Sequence, residues 1–242
     1  MGSSPGGERF AFIDSHGRIH VGSRTTGFKE KRQSVPDGLE PRSIRLAGER
    51  VILGDASGKL VSIDMDTGDT ETLHESADGK AITSVDTELA GRILVFGTDS
   101  GTVYVKDERR GRKRPSRVMV GKPVDAVAVS AKRGSFAVAR RDGSIRIHRL
   151  DETCAIISEI EDVKTVSQMA FSNDAYLLAA LHPGKELSLY QADTGRELMD
   201  IEEMIEQPLA ICFDENNQLF AYCELDEGIY GWDLHNHLEP AS

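Results

Sequence analysis

The residues of this 242-residue chain that best suit metal chemistry are its seven histidines. Two of them, His235 and His237, alternate near the end of the sequence, and in an extended strand they would project from one face. Imidazoles are common ligands of a catalytic metal, so this segment raises the hypothesis of a metal-dependent hydrolase. The remaining histidines are His16, His20, His74, His148 and His182.

Short motifs give little support to catalysis. The sequence contains no P-loop, no Cys-x-x-Cys and no His-Glu-x-x-His. The possibility of a nucleophile and a base brought together from distant segments stays open, because catalytic residues of this kind have no fixed order in sequence. We therefore predict no cofactor and name no catalytic or metal-binding residue.

A basic segment, DERRGRKRPSR at residues 107–117, interrupts an acidic chain. Clustered arginine and lysine side chains suit binding of an anionic ligand, such as a nucleic acid, a phosphoinositide or an acidic protein surface. The alternative interpretation is a solvated loop with no ligand. The formal net charge of −11 argues against a protein that coats nucleic acid or an anionic membrane. The candidate contact residues are Arg109, Arg110, Arg112, Lys113, Arg114 and Arg117.

An acidic segment, RELMDIEEMIE at residues 196–206, is the counterpart of the basic one. One interpretation is a charged strand edge that discourages pairing with other chains. The other is a docking surface for a basic partner. The sequence leaves both open.

The composition is that of an ordinary soluble globular protein, with 39% hydrophobic and 29% charged residues. No apolar run approaches the roughly 18–20 residues of a membrane span. Three cysteines without the spacing of a disulfide framework favour reduced thiols, and hence a cytoplasmic or other intracellular location. Residues 1–8 lack the apolar stretch of a secretory signal and are predicted to be a flexible leader.

The elements that would position these side chains repeat along the chain. Six segments each consist of a polar turn, usually with glycine, followed by a strand of alternating apolar residues. Successive segments are 41 to 43 residues apart, measured between the first apolar residues of their strands. These residues are Ile19, Leu60, Val103, Ile145, Leu187 and Ile229.

Each repeat of about 42 residues holds four short strands, which is the size and strand count of a β-propeller blade. The sequence thus predicts an all-β propeller of about six four-stranded blades over residues 9–238, with residues 239–242 as a tail. A β-sandwich is the runner-up, but it gives no physical reason for one motif to recur six times. An α-solenoid does not fit, because the apolar residues alternate with a period of two.

The end of the third strand in the last repeat carries the dipeptide Trp232-Asp233, and the turns DMDTG (64–68) and QADTG (191–195) follow the same position in other repeats. These features resemble the WD40-repeat family, whose blades typically end in Trp-Asp before such a turn. The equivalent pairs here are Ile63-Asp64, Lys106-Asp107, His148-Arg149 and Tyr190-Gln191. The Gly-His pair that opens a typical repeat is missing, so the chain is similar to a divergent, WD40-like propeller.

The resemblance implies a non-catalytic scaffold for protein–protein interaction, a subunit of a larger intracellular complex that binds partners at the basic segment or at the blade edge around Trp232. The first alternative is a propeller enzyme with a metal-dependent, hydrolase- or lactonase-like central site. Such a site needs ligands at one register of several blades, and the histidines do not share one; His235 and His237 fall in a turn. The second alternative is binding of nucleic acid or phosphoinositide through residues 109–117.

The sequence leaves ring closure open, because each terminal repeat offers only three strands. The first repeat lacks an innermost strand and the last lacks an outermost one, so both terminal blades are predicted to be incomplete. The leader could fill one gap, although its glycine and proline make it a poor strand. Otherwise the partial blades meet at a seam, or the ring is open and a partner chain inserts the missing strand or blade.

Overall fold

The computed structural model describes residues 2–4, 7–23, 27–76, 78–88, 90–111, 114–184, 186–201, 208–225 and 228–233. These residues form β-strands joined by tight turns, and Glu108–Arg110 form a short 3-10 turn. Within a sheet, strands that follow each other in sequence pair antiparallel, so the chain builds one sheet before it starts the next. No helix among these residues is long and apolar enough to cross a membrane.

The sheets stand around a central axis, and each contributes strands in order from the axis outward. The innermost strands are β1 (Gly2–Ser3), β5 (Pro41–Ala47), β9 (Ile82–Thr87), β13 (Val124–Ser130), β17 (Gln168–Phe171) and β21 (Pro208–Phe213). The second strands are β2 (Arg9–Ile13), β6 (Arg50–Asp55), β10 (Ile93–Thr98), β14 (Ser135–Arg140), β18 (Leu177–Leu181) and β22 (Leu219–Leu225). The third strands are β3 (Arg18–Ser23), β7 (Lys59–Asp64), β11 (Thr102–Asp107), β15 (Ser144–Arg149), β19 (Leu187–Gln191) and β23 (Gly228–Asp233). The outermost strands are β4 (Gly27–Ser34), β8 (Thr70–Glu75), β12 (Ser116–Met119), β16 (Ile156–Ile160) and β20 (Glu197–Ile201).

The all-β propeller is confirmed, but the count of complete blades is not. Five sheets have four strands, and the sixth, formed by β21, β22 and β23, has three among the described residues. The prediction of about six four-stranded blades is therefore corrected to five four-stranded blades and one three-stranded sheet, which we call the sixth blade. The prediction that the first blade is incomplete is wrong, because β1 supplies its innermost strand.

The first blade is completed by residues from the segment that the sequence predicts as a flexible leader. Gly2 and Ser3 pair with Ala11 and Phe10 of β2. Only glycine fits at the first of these positions, since a Cβ atom on Gly2 would overlap the carbonyl oxygen of Ile44 in the second blade. Close approach of two backbones, rather than strand propensity, therefore selects glycine at position 2.

The described residues form a ring that closes on itself, so the alternative of an open ring is also corrected. Each innermost strand contacts the innermost strand of the next blade, and β21 of the last blade contacts β1 of the first. Apolar side chains are buried at every interface between neighbouring blades. At the closing interface the buried residues are Phe10, Ala210 and Cys212. Burial between blades, which no blade can achieve alone, is what holds such a ring together.

The turns between second and third strands explain the glycine of the repeat. Gly17, Gly58, Gly101 and Gly143 all have φ between 74° and 87°, in the left-handed region that favours glycine. In the second blade, Asp55 accepts hydrogen bonds from the backbone N–H groups of Ser57 and Lys59, at 3.0 and 2.7 Å. A side-chain acceptor and a left-handed glycine are the two requirements of this tight turn.

Candidate functional site

Two cavities are lined by residues of the innermost strands, along the axis of the ring. Where the innermost strands begin, a cavity of 360 Å³ is lined by polar side chains such as Arg42 and Gln168 and by the half-exposed Leu209. Where these strands end, a larger cavity of 710 Å³ is lined by residues including Lys132 and Glu215. Concave polar cavities of this size can hold a ligand or a side chain of a partner.

Arg45 and Asp86 line both cavities. They lie on the innermost strands β5 and β9 of neighbouring blades, with Arg45 Nε 2.7 Å from Asp86 Oδ1. Both residues are nearly enclosed, with 7% and 5% of their surface exposed. A buried ion pair therefore lies on the wall of both cavities.

The ion pair is tied to two more blades. Arg45 Nη1 donates a hydrogen bond to Ser3 Oγ of β1, at 3.1 Å. Asp86 accepts from the backbone N–H of Val129 in β13, at 2.7 Å, and from that of Thr87, at 2.8 Å. Burial raises the pKa of Asp86, and the Arg45 charge and these two N–H groups oppose that rise. The pair thus links four innermost strands around the axis.

Other polar side chains in the channel also serve the backbone of the next blade. Ser84 Oγ accepts the N–H of Val127 at 3.0 Å, and Gln168 Oε1 accepts the N–H of Ile211 at 2.9 Å. An innermost strand has a sheet partner on one side only, so amide groups on its other side need another acceptor. These polar residues are thus explained by the architecture, without a ligand.

The described histidines do not converge on the channel. His20, His148 and His182 lie in different blades, and each has local partners: Asp14 for His20, the Cys154 carbonyl for His148, and the Thr165 carbonyl for His182. His16 and His74 lie in a turn and in an outermost strand. No group of three or more histidine, cysteine, aspartate or glutamate residues in the described ranges is arranged to hold a metal ion. His235 and His237 lie outside the described residues.

One serine and histidine do have the spacing of a nucleophile and its base. Ser188 Oγ lies 2.8 Å from His182 Nε2. His182 Nδ1 donates to the Thr165 carbonyl at 2.9 Å, and Ser188 Oγ donates to Asp200 Oδ1 at 3.3 Å. Ser188 and His182 are only 3% and 2% exposed, however, so a substrate could not reach them without rearrangement of the blade. The pair stabilises the fifth blade and gives no support to hydrolysis.

The basic segment is divided by its surroundings. Arg109 Nη2 and Arg110 Nε lie 2.9 and 3.3 Å from Asp107 Oδ2, and Arg110 also donates to the Leu150 carbonyl of the next blade at 3.0 Å. Hydrogen bonding from Arg109 lowers the pKa of Asp107. Arg114 and Arg117 are exposed, the latter on β12. Arg112 and Lys113 lie outside the described residues. The described residues therefore do not show the six candidate basic residues as one anion-binding patch.

Trp232 lies in β23, where its backbone pairs with Ala221 of β22. Among the described residues, β23 has β22 as its one neighbour, whereas every other third strand has an outermost strand on its far side. The side chain of Trp232 lies outside the described part of the chain. The predicted unpaired edge of the last blade is therefore present in the described fold.

Sequence reasoning missed the Arg45–Asp86 pair. A signal for it exists: an arginine within the apolar run SIRLA and an aspartate within TSVDT, 41 residues apart and thus at matching positions of successive repeats. Opposite charges within two innermost strands at the same height must meet across the interface, since each would otherwise be buried alone.

At the level of sequence, no protein-family model and no curated protein matches the chain. At the level of structure, 1775 chains of solved structures match it. One of them, in a structure titled "Crystal Structure of Mitotic Checkpoint Complex", has a TM-score of 0.69 at 16% sequence identity, over 96% of this chain and 72% of that one. Identity this low shows the fold alone. With the repeat register and the closed ring, this likeness shows that the chain has the fold of a WD40-like β-propeller.

Proposed function

We propose that the protein is a non-catalytic scaffold for protein–protein interaction, a propeller subunit of a larger intracellular complex, and that a partner supplies a strand to its sixth blade. The observation that carries this proposal is the side of β23 that has no strand beside it among the described residues, which we call its free side. Five blades cover their third strand with a fourth, and the described part of the sixth blade does not.

The free side of β23 is suited to strand addition. Six residues, Gly228–Asp233, form the strand, and a strand of that length presents unpaired N–H and C=O groups along one side. A partner strand would satisfy these groups, and pockets for alternate side chains would give specificity. The acceptor is also held in place, since apolar clusters join the sixth blade to the fifth and to the first. A partner would thus bind a preformed edge and pay little for ordering it.

The remainder of the ring is consistent with a binding role. Arg45 and Asp86 are paired with each other and nearly enclosed, and Ser188 and His182 are buried, so neither pair offers an accessible reactive group. The matched solved structure is titled as a complex, which supports the idea of a propeller within an assembly and says nothing of this chain's partners. Fold likeness alone does not assign function, so the proposal rests on the edge.

Site-specific photo-crosslinking tests the proposal. A photoreactive amino acid replaces Ile229 or Tyr230, two successive residues of β23, in the full chain expressed in its own cells. We expect one partner protein to crosslink, through an extended segment, at close to one copy per copy of this chain. Binding of that partner should also slow hydrogen exchange of the β23 amides. The matched control places the same group at Met119, an exposed residue of the outermost strand β12.

Two outcomes would overturn the proposal. One is a native protein that purifies as a monomer with no stoichiometric partner. The other is crosslinking to the same proteins, in the same yield, from position 119 and from the two positions in β23. Either result would mean that the free side of β23 is not a specific binding site.

A further inference from the structure

The cavity of 360 Å³ where the innermost strands begin, here called the Arg42 cavity, carries a charge that no described residue neutralises. Arg42 lines this cavity, is exposed and has no ion pair with a described residue. The other charged residues of the lining, Arg45 and Asp86, pair with each other. The described lining therefore has one positive charge in excess, which attracts an anion.

A β-bulge places Arg42 at the start of its strand. In the second, fourth and sixth blades the register of the innermost strand shifts beside its first residue, and the extra residues are Arg42, Asp125 and Leu209. Successive members of this set are 83 and 84 residues apart, which is two repeats, so their positions are equivalent. Asp125 Oδ1 accepts a hydrogen bond from Arg141 Nε at 3.1 Å, so the one acidic member is already neutralised. Arg42 and Leu209 both line the cavity, and bulges often re-aim side chains in this way beside a functional site.

An aliphatic wall adjoins Arg42. Ile13 of the first blade and Ile44 of the second pack against the same apolar cluster and remain half-buried. Both line the Arg42 cavity, together with Leu209 of the sixth blade, which is 40% exposed. The three residues come from consecutive blades of the closed ring, and Ile44 is two positions from Arg42 on β5. The cavity thus joins an unpaired cation to aliphatic surface that the fold does not fully cover.

Two further side chains of the cavity offer hydrogen-bond donors. Ser84 Oγ and Gln168 Oε1 accept backbone N–H groups of the next blade. The hydroxyl hydrogen of Ser84 and the amide hydrogens of Gln168 then have no acceptor among the described residues. The architecture therefore uses the acceptor atoms of these two side chains and leaves their donors to a ligand. A ligand group with acceptors only and a negative charge, such as a carboxylate, matches this set.

We propose that the Arg42 cavity binds a small aliphatic carboxylic acid in its ionised form, with the carboxylate on Arg42 and the hydrocarbon chain on Ile13, Ile44 and Leu209. The volume of 360 Å³ lies at the lower end of the roughly 300–1,000 Å³ of ligand pockets, which suits a ligand of this size better than a large cofactor. The guanidinium fork of arginine can bind both carboxylate oxygens, and the aliphatic wall removes the chain from water. The site adds a ligand to the proposed scaffold and is independent of β23.

Nuclear magnetic resonance of the full chain, with labelled methyl groups of isoleucine and leucine, tests the site. The probe is isocaproate, and isocaproamide, which has nearly the same shape without the charge, is its control. We expect saturable shifts of the methyl signals of Ile13, Ile44 and Leu209, with a Kd of about 1 mM or tighter. The amide should bind at least about tenfold more weakly, because it cannot form a charged pair with Arg42.

Two matched pairs of variants assign the binding to named residues. Arg42→Gln should weaken binding of isocaproate by about tenfold. Lys122→Gln removes a positive charge from an exposed residue outside the cavity lining and should leave binding within about twofold. Leu209→Thr should weaken binding by about fivefold, because the ligand chain loses aliphatic contact. Leu198→Thr alters a leucine that is 41% exposed on an outermost strand and should leave binding within about twofold.

The inference fails if isocaproate shifts none of the three methyl signals at up to about 20 mM, a concentration well above the expected Kd. It also fails if the acid and the amide bind alike, or if Arg42→Gln and Lys122→Gln have equal effects. A tripeptide that ends in leucine carries a carboxylate and the same aliphatic group, and tighter binding of that peptide than of isocaproate would reject a free acid as the ligand. These results do not depend on β23, so failure of this inference and failure of the scaffold proposal are distinguishable.

Discussion

Arg45 Nε lies 2.7 Å from Asp86 Oδ1 at the interface of the second and third blades, and this ion pair lines both cavities along the axis of the ring. Its further hydrogen bonds reach Ser3 in the first blade and Val129 in the fourth. One pair of charges therefore joins four of the innermost strands, at a place where each charge alone would be costly to bury.

Removal of one partner should be strongly destabilising. Asp86→Ala leaves Arg45 charged and buried and takes the acceptor from the Val129 amide, so we expect the free energy of unfolding to fall by about 3–5 kcal/mol. Urea unfolding followed by fluorescence of the single tryptophan measures this change. Replacement of both residues, as Arg45→Met with Asp86→Leu, should recover much of the loss.

A surface pair provides the comparison for this substitution. Asp66 lies 2.7 Å from Lys31 Nζ in an exposed position. Asp66→Ala should lower the free energy of unfolding by about 1 kcal/mol at most, because water screens exposed ion pairs. If Asp86→Ala costs no more than Asp66→Ala, the channel pair is not a structural link between blades.

Two glycines of the repeated turn should differ sharply in their tolerance of alanine. Gly17 and Gly101 have φ of 74° and 77°, but only at Gly101 would an added Cβ meet other atoms, lying 2.7 Å from the Lys122 carbonyl oxygen. Gly17→Ala should cost about 1 kcal/mol for the left-handed backbone. Gly101→Ala should cost about 3 kcal/mol, because the segment of Lys122 must also move. Thermal unfolding of both variants checks the difference, and equal costs would contradict it.

These turns also show what the sequence can predict. Because the glycine and the alternating strand recur every 41 to 43 residues, the amino-acid sequence alone defines the second and third strands of each blade. The predicted propeller, its register and the free side of β23 all follow from that period. These features depend on residues that are close together in sequence, so a short repeated sequence pattern predicts them.

Features that depend on contacts between distant parts of the ring cannot be predicted from such a pattern. β1 contains two residues, Gly2 and Ser3, and it pairs with β2 at a place where the backbone of Ile44 leaves no room for a Cβ atom on Gly2. Ile157 and Leu198 fit an alternating strand pattern in the sequence, but each is an extra residue where the pairing of its strand shifts register, and both are exposed. For the basic segment the sequence predicts too much. Its run of basic residues suggests one binding patch, but Arg109 and Arg110 are already paired with Asp107.

Stability should depend on pH through His148. Its Nδ1 donates to the Cys154 carbonyl at 2.8 Å, so Nε2 carries no hydrogen, and this atom is buried without a hydrogen-bond partner among the described residues. Burial lowers the pKa of His148, although the Cys154 carbonyl opposes the change. The unfolded chain therefore takes up this proton first, near pH 6.5, and stability falls as the pH drops from there toward the lowered pKa of the folded state.

His148→Gln should flatten this dependence, because glutamine can still donate to the Cys154 carbonyl and cannot become charged. Urea unfolding between about pH 7.5 and pH 5.5 measures the slope. Part of the slope should remain, since burial also lowers the pKa of His74. The exposed His16 is the matched control, and an equal flattening by His16→Gln would show that burial of His148 is not the cause.

Deletion of residues 2–7 should open the ring at its closing interface. The deletion removes β1, the Ser3 acceptor of Arg45, and Gly7, which approaches the Cys212 sulfur so closely that a Cβ atom there would overlap it. Cys212, 3% exposed in the intact chain, should then react with a thiol reagent at least about tenfold faster. With Cys223 changed to serine, Cys154 in the fourth blade is the internal control, and its rate should change little because its interface lies away from the seam. If the deletion accelerates Cys154 and Cys212 equally, β1 supports the whole fold rather than the seam, and if it accelerates neither, the ring does not depend on β1 for closure.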